Sequence, residues 1–261
     1  MKDKVVVVTG GSSGIGRAAA LAFAAEGAKV VVAARDASRL EEVVRRIGAA
    51  GGDAVFLQTD VSKAADVEAL VEQTIETYGR LDCAFNNAAT EGVLRDTADF
   101  AEEEFDRVVG VNLKGVWLCM KHELRRMVAQ EPPGGAIVNT SSVNGLGGAP
   151  MGAIYSATKA GVLALTKSAA QEYARHGIRV NALVAGGFHT PMLESVWQQH
   201  SEMTGVTPED IEARLVSHIP MRRIGRPEEA AKVAVWLCSD AASYVTGHSM
   251  IVDGGLTSPA R

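Results

Sequence analysis

A tyrosine and a lysine stand four residues apart in the segment YSATK, from Tyr155 to Lys159. On a helix, residues with this spacing lie on one face, so the phenol and the ammonium would be neighbours. A phenol alone, with an ordinary pKa of about 10, is a poor base near neutral pH. A nearby ammonium lowers that pKa, which would let the pair exchange a proton with a substrate oxygen. An ordinary amphipathic helix surface carries the same spacing, so the pair alone leaves both interpretations open.

Two further polar residues favour the chemical interpretation. Ser142 stands thirteen residues before Tyr155, just after a predicted strand, where its hydroxyl could hydrogen-bond a carbonyl as charge develops. No histidine stands at a spacing that would make this serine a nucleophile. Asn112 lies in the segment VNLKG of a predicted helix, although asparagine is a mediocre helix former. Its amide could bond the backbone and bend the helix, or hold a water near Lys159.

A glycine-rich loop, TGGSSGIG, follows the first predicted strand. Glycines let the backbone turn tightly and approach a pyrophosphate, and the next helix offers free N–H groups and the positive end of its dipole. A plain tight turn is the alternative, but the strand before and the helix after favour a nucleotide site. The expected cofactor contacts in this loop are Gly10, Ser12, Ser13, Gly14, Ile15 and Gly16.

The cofactor's adenosine end is expected next to Arg35, directly after the second predicted strand. Dinucleotide folds commonly place an acidic residue near there to bind the ribose, but Ala34 and Arg35 occupy the region. An arginine could grip a 2′-phosphate, so the sequence favours NADP(H), with NAD(H) or a merely solvated arginine as alternatives. Further cofactor contacts are expected just after the third and fourth strands, at Asp60, Val61, Asn87 and Ala88.

Alternating strand and helix patterns predict the elements that position these residues. Apolar runs predict strands at 4–9, 29–34, 54–59, 81–86, 136–140, 179–184 and 249–252. Helices are expected at 14–26, after a capping box of Ser38 and Glu41, from Ser62 to about 78, from Asp99 to about 128, at 151–175 and at 227–238. The pattern predicts one α/β Rossmann-fold domain over residues 1–261, with a doubly wound, mostly parallel seven-stranded sheet and helices on both faces. Residues 189–222 are expected to form a substrate lid, either irregular or built from short helices.

The composition excludes several other classes of protein. With 261 residues, 47% of them hydrophobic and 22% charged, it is typical of a soluble globular protein. A net charge of −5 gives no indication of a nucleic-acid surface, and no segment resembles a membrane span or a signal peptide. Three scattered cysteines favour a reducing, cytoplasmic location, and six histidines without ligand spacing predict no metal.

With these motifs, the sequence resembles the short-chain dehydrogenase/reductase family. TGGSSGIG matches the family pattern TGxxxGxG, and NNAA matches NNAG with Ala89 in place of glycine. RVNALVAGGFHT is similar to RVNAxxPGxxxT, with Ala185 replacing the proline, and RRIGRPEEAA, SYVTG and VDGG resemble C-terminal signatures. The family's Asn-Ser-Tyr-Lys tetrad is matched by Asn112, Ser142, Tyr155 and Lys159.

The resemblance implies an NAD(P)(H)-dependent oxidoreductase that interconverts a ketone and a secondary alcohol by hydride transfer. Tyr155 would be the general acid in reduction and the general base in oxidation, and Lys159 would lower its pKa and bond the nicotinamide ribose. Ser142 would steady the substrate oxygen, and Asn112 would carry a water to a proton relay. The nicotinamide amide would be held by Phe188, through its backbone, and by Thr190.

Loops around the site would select the substrate. Besides Ser142 and Tyr155, the candidate contacts are Glu91, Asn144, Met151, Met192 and Trp197. Met192 and Trp197 suggest an apolar surface or simple lid packing, and Glu91 a contact to a substrate hydroxyl or a surface charge. The segments TEG and TPMLESVW resemble relatives that act on cyclic or aryl ketones and secondary alcohols. A 3-oxoacyl thioester (acyl carrier protein) reductase and a catalytically silent nucleotide-sensing protein are the alternatives, and the family implies a homotetramer.

Overall fold

In the computed structural model, which describes residues 1–258, seven strands form one sheet. The strands are β1 (Val5–Thr9), β2 (Lys29–Ala34), β3 (Asp53–Gln58), β4 (Cys83–Asn86), β5 (Gly135–Ser142), β6 (Ile178–Ala185) and β7 (Ser249–Val252). They lie in the order β3-β2-β1-β4-β5-β6-β7, and each neighbouring pair is parallel. This confirms the predicted doubly wound fold, with a sheet that is parallel throughout rather than mostly parallel.

Helices cover both faces of this sheet. They are α1 (Gly14–Ala25), α2 (Ala37–Ala49), α3 (Ala64–Tyr78), α4 (Glu102–Val109), α5 (Gly115–Ala129), α6 (Asn144–Gly147), α7 (Ala153–Tyr173), α8 (Pro191–Thr204), α9 (Pro208–His218) and α10 (Pro227–Cys238). A π-helical turn, Gly110–Lys114, joins α4 to α5, and short 3-10 turns lie at Thr97–Asp99, Ala174–His176 and Asp240–Ala242. One face packs against α1, α2 and α10, and the other against α3, α5 and α7.

The valine run of β1 shows why the central strands read as continuous apolar sequence. Val6 and Val8 belong to the core on the α1 side, whereas Val7 belongs to the core on the α5 side. Successive side chains of a strand point to opposite faces, and both faces are covered here. Each position of the strand therefore needs an apolar side chain.

The predicted start of α2 is wrong. Asp36, not Ser38, is the N-cap residue, and its side chain accepts a hydrogen bond from the backbone N–H of Arg39 at 3.1 Å. The Ser38 hydroxyl donates to the same carboxylate at 2.9 Å, so no capping box forms with Glu41. The cap lies two residues earlier because the helix begins almost directly after β2.

The predicted starts of α3 and α4 also need correction. The Ser62 hydroxyl donates to Asp60 at 2.7 Å and does not cap α3, which begins after Lys63. Asp99 lies in a 3-10 turn, and extended backbone at Phe100 and Ala101 separates it from α4. The long helix expected from Asp99 is thus two helices with the π-helical turn between them.

Residues 189–222 contain two helices, α8 and α9, that are longer than the sequence suggested. Thr190 caps α8 and Thr207 caps α9, and a proline occupies the first turn of each helix. The buried side chains of Trp197, Ile219 and Ile224 form a small core of their own beside the main sheet. This segment therefore folds as a compact unit, which we call the lid.

Candidate active site

The carboxyl ends of the central strands are tied together by Thr9 and Asn87. The Thr9 Oγ1 accepts hydrogen bonds from the backbone N–H groups of Asn87 at 3.1 Å and Ala88 at 3.2 Å. The Asn87 side chain in turn donates to the Gly10 carbonyl at 3.5 Å and accepts from the Thr140 hydroxyl at 3.3 Å. This network fixes the glycine-rich loop against the ends of β4 and β5.

The glycine-rich loop passes so close to its neighbours that side chains would not fit. Gly10 has a φ of +65°, and a Cβ there would lie 2.8 Å from the Cα of Ala88. A Cβ on Gly16 would overlap the Gly10 carbonyl oxygen. Gly14 has a φ of +50°, and a Cβ there would lie 3.0 Å from the Thr190 methyl group at the start of the lid. The loop is therefore a narrow cradle between β4 and the lid.

The start of α1 suits a phosphate group. Ser13 is its N-cap residue and makes no side-chain hydrogen bond that would satisfy the first free N–H groups of the helix. The glycines before it carry no side chains that would keep a ligand away from those groups. Together with the cradle, this fits the pyrophosphate of a dinucleotide held by Gly10, Ser12, Ser13, Gly14 and Ile15.

Two arginines line the opposite end of the same cleft. Arg35 is exposed at its rim, and its backbone carbonyl accepts a hydrogen bond from Gln58 at 2.9 Å. Arg39, in the first turn of α2, also lines the cleft and was missed from the sequence. Its guanidinium lies 3.3 Å from the carboxylate of Asp36. Asp36 and Arg39 thus add one charge of each sign to the cleft beside Arg35.

Asp60 and Val61, two of the expected cofactor contacts, line the cleft beside these arginines. The Asp60 Oδ1 accepts hydrogen bonds from the backbone N–H and the hydroxyl of Ser62, at 3.0 Å and 2.7 Å. Burial by itself would raise the pKa of Asp60, but these bonds and the nearby charges of Arg35 and Lys63 hold it below its ordinary value. Asp60 is therefore an ionised acceptor, and its Oδ2 takes neither of the Ser62 hydrogen bonds.

Lys159 is almost completely buried at the base of the cleft, with 1% of its surface exposed. Its Nζ donates a hydrogen bond to the Thr140 carbonyl at 2.9 Å and lies 5.6 Å from the ring centroid of Tyr155. The Ser141 hydroxyl donates to the Lys159 carbonyl at 2.8 Å, which fixes α7 against the end of β5. Burial lowers the pKa of Lys159 to about 8, because the charged form loses solvation.

Tyr155 is half-buried and also lines the cleft. Burial raises its pKa to about 12; the neighbouring Ser142 hydroxyl acts in the opposite direction, and the charge of Glu91 raises the value further. The sequence predicted that Lys159 would lower this pKa. Among the groups of the chain itself, the effect of desolvation on the Tyr155 pKa is larger than that of the Ser142 hydrogen bond. Tyr155 is therefore a neutral phenol at physiological pH.

Asn112 lies behind the cleft wall and is fully buried. Its Oδ1 accepts a hydrogen bond from the backbone N–H of Thr90, and its Nδ2 donates to the Thr90 carbonyl, both at 2.8 Å. The sequence suggested that Asn112 would bond the backbone or hold a water. Its side chain does bond the backbone, but that of the loop at Thr90 and not that of its own helix. The π-helical turn around Asn112 is a feature that often occurs at functional sites.

The remaining predicted residues come together in one cleft of about 970 Å³. Gly16 and Asn112 do not line it. Phe188 is 5% exposed and pairs through its backbone with Gly225, and Thr190 accepts a hydrogen bond from the Leu193 N–H at 3.3 Å. The predicted substrate contacts on the cleft wall are Glu91, Ser142, Asn144, Met151, Met192 and Trp197.

Some predicted contacts have a second structural role. Trp197 is 8% exposed and belongs to the lid core, so it serves lid packing as well as the cleft wall. Ala89 does not adopt a positive φ, so alanine replaces the family's glycine there without backbone strain. Ala185 continues β6 to its pairing with Val252, where the family pattern has proline.

Several cleft residues were missed from the sequence. Arg39 could have been found because it stands only four residues after Arg35, at the start of a predicted helix. The others, among them Leu94, Arg107 and His200, stand in segments without a recognisable motif. Among residues 1–258, no cluster of His, Cys, Asp and Glu side chains could hold a metal ion. None of the helices in that same range has the length and apolarity to cross a membrane.

Comparison with known proteins agrees with this geometry. A family model described as enoyl-(acyl carrier protein) reductase matches residues 10–257. A 2,5-dichloro-2,5-cyclohexadiene-1,4-diol dehydrogenase from Sphingobium indicum is 42% identical over 98% of each chain. The crystal structure of levodione reductase superposes with a TM-score of 0.95, at 38% identity and full coverage of both chains. An actinorhodin polyketide ketoreductase variant solved with NADPH gives a TM-score of 0.93, at 36% identity over 99% of this chain and 100% of the other.

The chain belongs to the short-chain dehydrogenase/reductase family. It is an oxidoreductase that uses a nicotinamide cofactor to interconvert a ketone and a secondary alcohol.

Proposed function

We propose that this enzyme acts on a small, mainly apolar cyclic or aryl ketone, with Tyr155 as the group that gives and takes the proton. One observation carries the proposal. The Tyr155 phenol lines the same cleft as Ser142 and the glycine-rich loop, with the buried Lys159 ammonium over its ring. A proton donor, a hydrogen-bond donor and a phosphate cradle therefore converge at one edge of the sheet.

Tyr155 is suited to donate a proton in the reduction direction. Since burial raises its pKa to about 12, it carries its proton throughout the neutral range. As that proton moves to the substrate oxygen, the developing phenolate is stabilised by the Lys159 ammonium, which the Thr140 carbonyl holds in place. A bound nicotinamide cofactor would supply the hydride, and the positive charge of its oxidised ring would favour the phenolate. In the oxidation direction Tyr155 acts as the base, so we expect oxidation to be favoured by higher pH.

Ser142 is suited to orient the substrate oxygen. Its Oγ accepts a hydrogen bond from the Asn144 backbone N–H at 3.2 Å, so its own proton is directed elsewhere and can be donated to a carbonyl. Thr190 lies beside Gly14, Phe188 lines the same cleft, and we assign the nicotinamide amide to Thr190 and to the backbone of Phe188. Asn112 supports the site from behind, through Thr90.

We propose a preference for NADP(H) over NAD(H). Arg35 and Arg39 line the adenosine end of the cleft, and Ala34 provides no carboxylate for a ribose. The nearby Asp36 carboxylate is already engaged by Ser38 and Arg39. A guanidinium pairs well with a phosphate, which only NADP(H) carries at the 2′ position.

The test is kcat/KM with both cofactors. Arg35→Ala should lower kcat/KM for NADPH on the order of tenfold, the equivalent of one charge-assisted hydrogen bond, and leave the value for NADH nearly unchanged. Arg46→Ala is the matched control, because Arg46 pairs with Glu42 on the exposed side of α2 and does not line the cleft. A higher wild-type kcat/KM with NADH would overturn the preference.

The cleft wall supports the proposed substrate class. Leu94, Met151, Met192 and Trp197 give the pocket an apolar lining, against which Glu91 offers a carboxylate that can accept a hydrogen bond from a substrate hydroxyl. The relative that is a cyclohexadienediol dehydrogenase and the structural neighbour that is a levodione reductase support a cyclic substrate. A panel of cyclic and aryl ketones, with Tyr155→Phe as the inactive control, tests this proposal.

A 3-oxoacyl thioester reductase is the second candidate. One structural neighbour is a polyketide ketoreductase, and the matching family model is described as an enoyl-(acyl carrier protein) reductase, a name that shares the acyl carrier protein thioester but not the 3-oxo group. Acetoacetyl thioesters in the same panel separate the two, since only this candidate predicts a higher kcat/KM for the thioester than for free ketones.

We propose that the enzyme assembles as a cytoplasmic homotetramer without nucleic-acid or membrane partners. Two large aromatic side chains on the α4–α5 side, Phe105 and Trp117, are 51% and 45% exposed, and Trp117 lines an apolar groove with residues of α7. Tyr244 and Ile251 are exposed near the chain's C-terminal strand. Two such surfaces suit a closed assembly with two kinds of interface. Light scattering should give four times the mass of 27.4 kDa, and a monomer would refute the proposal.

A further inference from the structure

The loop of residues 90–95, between β4 and the first 3-10 turn, forms one wall of the cleft and contains no helix or strand. Side chains from the α4 region hold its backbone. Asn112 pairs with both backbone groups of Thr90, and the Glu104 carboxylate accepts a hydrogen bond from the Val93 N–H at 2.8 Å. Arg107 fixes Glu104 with two further bonds of 2.7 Å and 2.8 Å. The near end of the loop is thus anchored to the body of the enzyme.

Further along the loop, the Arg95 N–H donates to the Met151 carbonyl at 3.1 Å, and the lid holds two more backbone groups. Gln199, on α8, accepts a hydrogen bond from the Leu94 N–H through its Oε1 at 3.1 Å. Its Nε2 donates to the Gly92 carbonyl at 3.3 Å. A single carboxamide therefore completes the hydrogen bonding of two backbone groups, as Asn112 does from the other side. Glu91 stands between these two anchors.

The side chains that hold the loop differ in whether they belong to the body of the enzyme or to the lid. Glu104 belongs to α4 and Asn112 to the π-helical turn, and both elements pack against α7, which lies on the sheet, so they keep Thr90 and Val93 in place. Gln199 belongs to the lid, whose core of Trp197, Ile219 and Ile224 is separate from the main sheet cores. Movement of α8 would break the two Gln199 bonds and leave the Gly92 carbonyl and the Leu94 N–H without these partners, while Glu104 still holds Val93.

We propose that Gln199 is a positioning residue, through which the lid holds residues 91–94 against the substrate. It touches neither cofactor nor reacting atoms, and it sets how well the cleft wall, including Glu91 and Leu94, fits a bound ketone. This rests on the proposed function, because it assigns the 91–94 wall to substrate binding. Substrate affinity then depends on the position of the lid. Hydride transfer from the cofactor and proton transfer at Tyr155 do not.

The chain supplies a matched control next to Gln199. Gln198 is the same residue type on the same helix, but it is exposed and its amide donates to Glu202 within α8 at 2.9 Å. Gln198→Ala and Gln199→Ala therefore alter helix propensity and side-chain volume equally. Only Gln199→Ala removes the two bonds to the loop.

The experiment compares wild type, Gln198→Ala and Gln199→Ala in three measurements. Steady-state kinetics with a ketone that the wild type reduces should show KM raised on the order of tenfold in Gln199→Ala, with kcat changed less than about twofold. The Kd for NADPH, from cofactor fluorescence, should be unchanged. Hydrogen exchange should show the Leu94 amide losing protection in Gln199→Ala alone.

Each outcome decides something. Wild-type KM and wild-type Leu94 protection in Gln199→Ala would overturn the proposal, as would equal changes in Gln198→Ala. A parallel loss of cofactor affinity and melting temperature would also overturn it, because Gln199 would then act on the fold in general. If the wild type turns over none of the ketones, the proposed function fails separately. Leu94 exchange then still decides whether the lid holds the loop.

Discussion

Glu123→Gln should make the enzyme more resistant to unfolding at alkaline pH. Glu123 is 1% exposed, and its Oε2 accepts one hydrogen bond, from the Asn86 side chain at 2.9 Å. Asn86 also donates to Asn139 at 3.1 Å, and Asn139 donates to Thr166 at 3.0 Å. This buried polar network joins β4, β5, α5 and α7 directly behind the cleft, since Asn87 and Thr140 are the next residues in their strands' sequence. The protonation state of Glu123 therefore affects the stability of the structure behind the site.

The magnitude follows from the pKa of Glu123. Burial raises that pKa from 4.5 to about 8, against a smaller effect of the Asn86 hydrogen bond. The folded protein thus keeps a proton that the unfolded chain releases above pH 4.5. The stabilisation from this group is complete below pH 4.5 and is lost as pH rises through about 8, a loss on the order of 5 kcal/mol. Glutamine has the shape of the protonated acid and no proton to lose.

The assay is urea unfolding of wild type and Glu123→Gln at fixed protein concentration, at about pH 5.5 and about pH 8.5. We expect the variant's advantage in unfolding free energy to grow by several kcal/mol between the two pH values. Lys159, which also titrates near pH 8, is present in both proteins and cancels in the difference. Glu103→Gln, an exposed change on α4, is the control and should show no such growth. If the difference in unfolding free energy between wild type and Glu123→Gln is the same at both pH values, the reasoning is refuted.

Three further predictions concern the site. Tyr155→Phe should lower kcat by at least about a hundredfold while leaving the Kd for NADPH within about twofold, measured by turnover and cofactor fluorescence; near-normal turnover would contradict the proposed proton transfer. Lys159→Ala should abolish turnover and weaken cofactor binding by at least about tenfold, because it removes both the charge beside Tyr155 and the proposed ribose contact. Gly16→Ala should abolish NADPH binding, since its methyl group would overlap the Gly10 carbonyl, whereas Gly48→Ala, a glycine on α2 with open space around it, should bind normally.

The sequence by itself determined the order of the elements and the position of the phosphate loop. Both depend on local patterns: an all-apolar run predicts a strand covered on both faces, and a spacing of glycines predicts a tight approach of backbone to ligand. The segments of β2, α10 and β7 agree with their predicted bounds. Spacing also placed Tyr155 and Lys159 together, because residues four apart on a helix are neighbours whatever surrounds them.

Only the tertiary structure decided how polar side chains are used. Asp36 rather than Ser38 caps α2, Asn112 bonds Thr90, and Gln199 reaches across to Leu94. The same holds for the pKa of Tyr155, which burial raises although its neighbour Lys159 suggested the opposite. Hydrogen bonds and desolvation depend on groups that are distant in the chain and adjacent only after folding, as with the 105 positions between Leu94 and Gln199. A local sequence pattern does not identify such partners. It therefore located the reacting groups but not the contacts that position them and shift their pKa values.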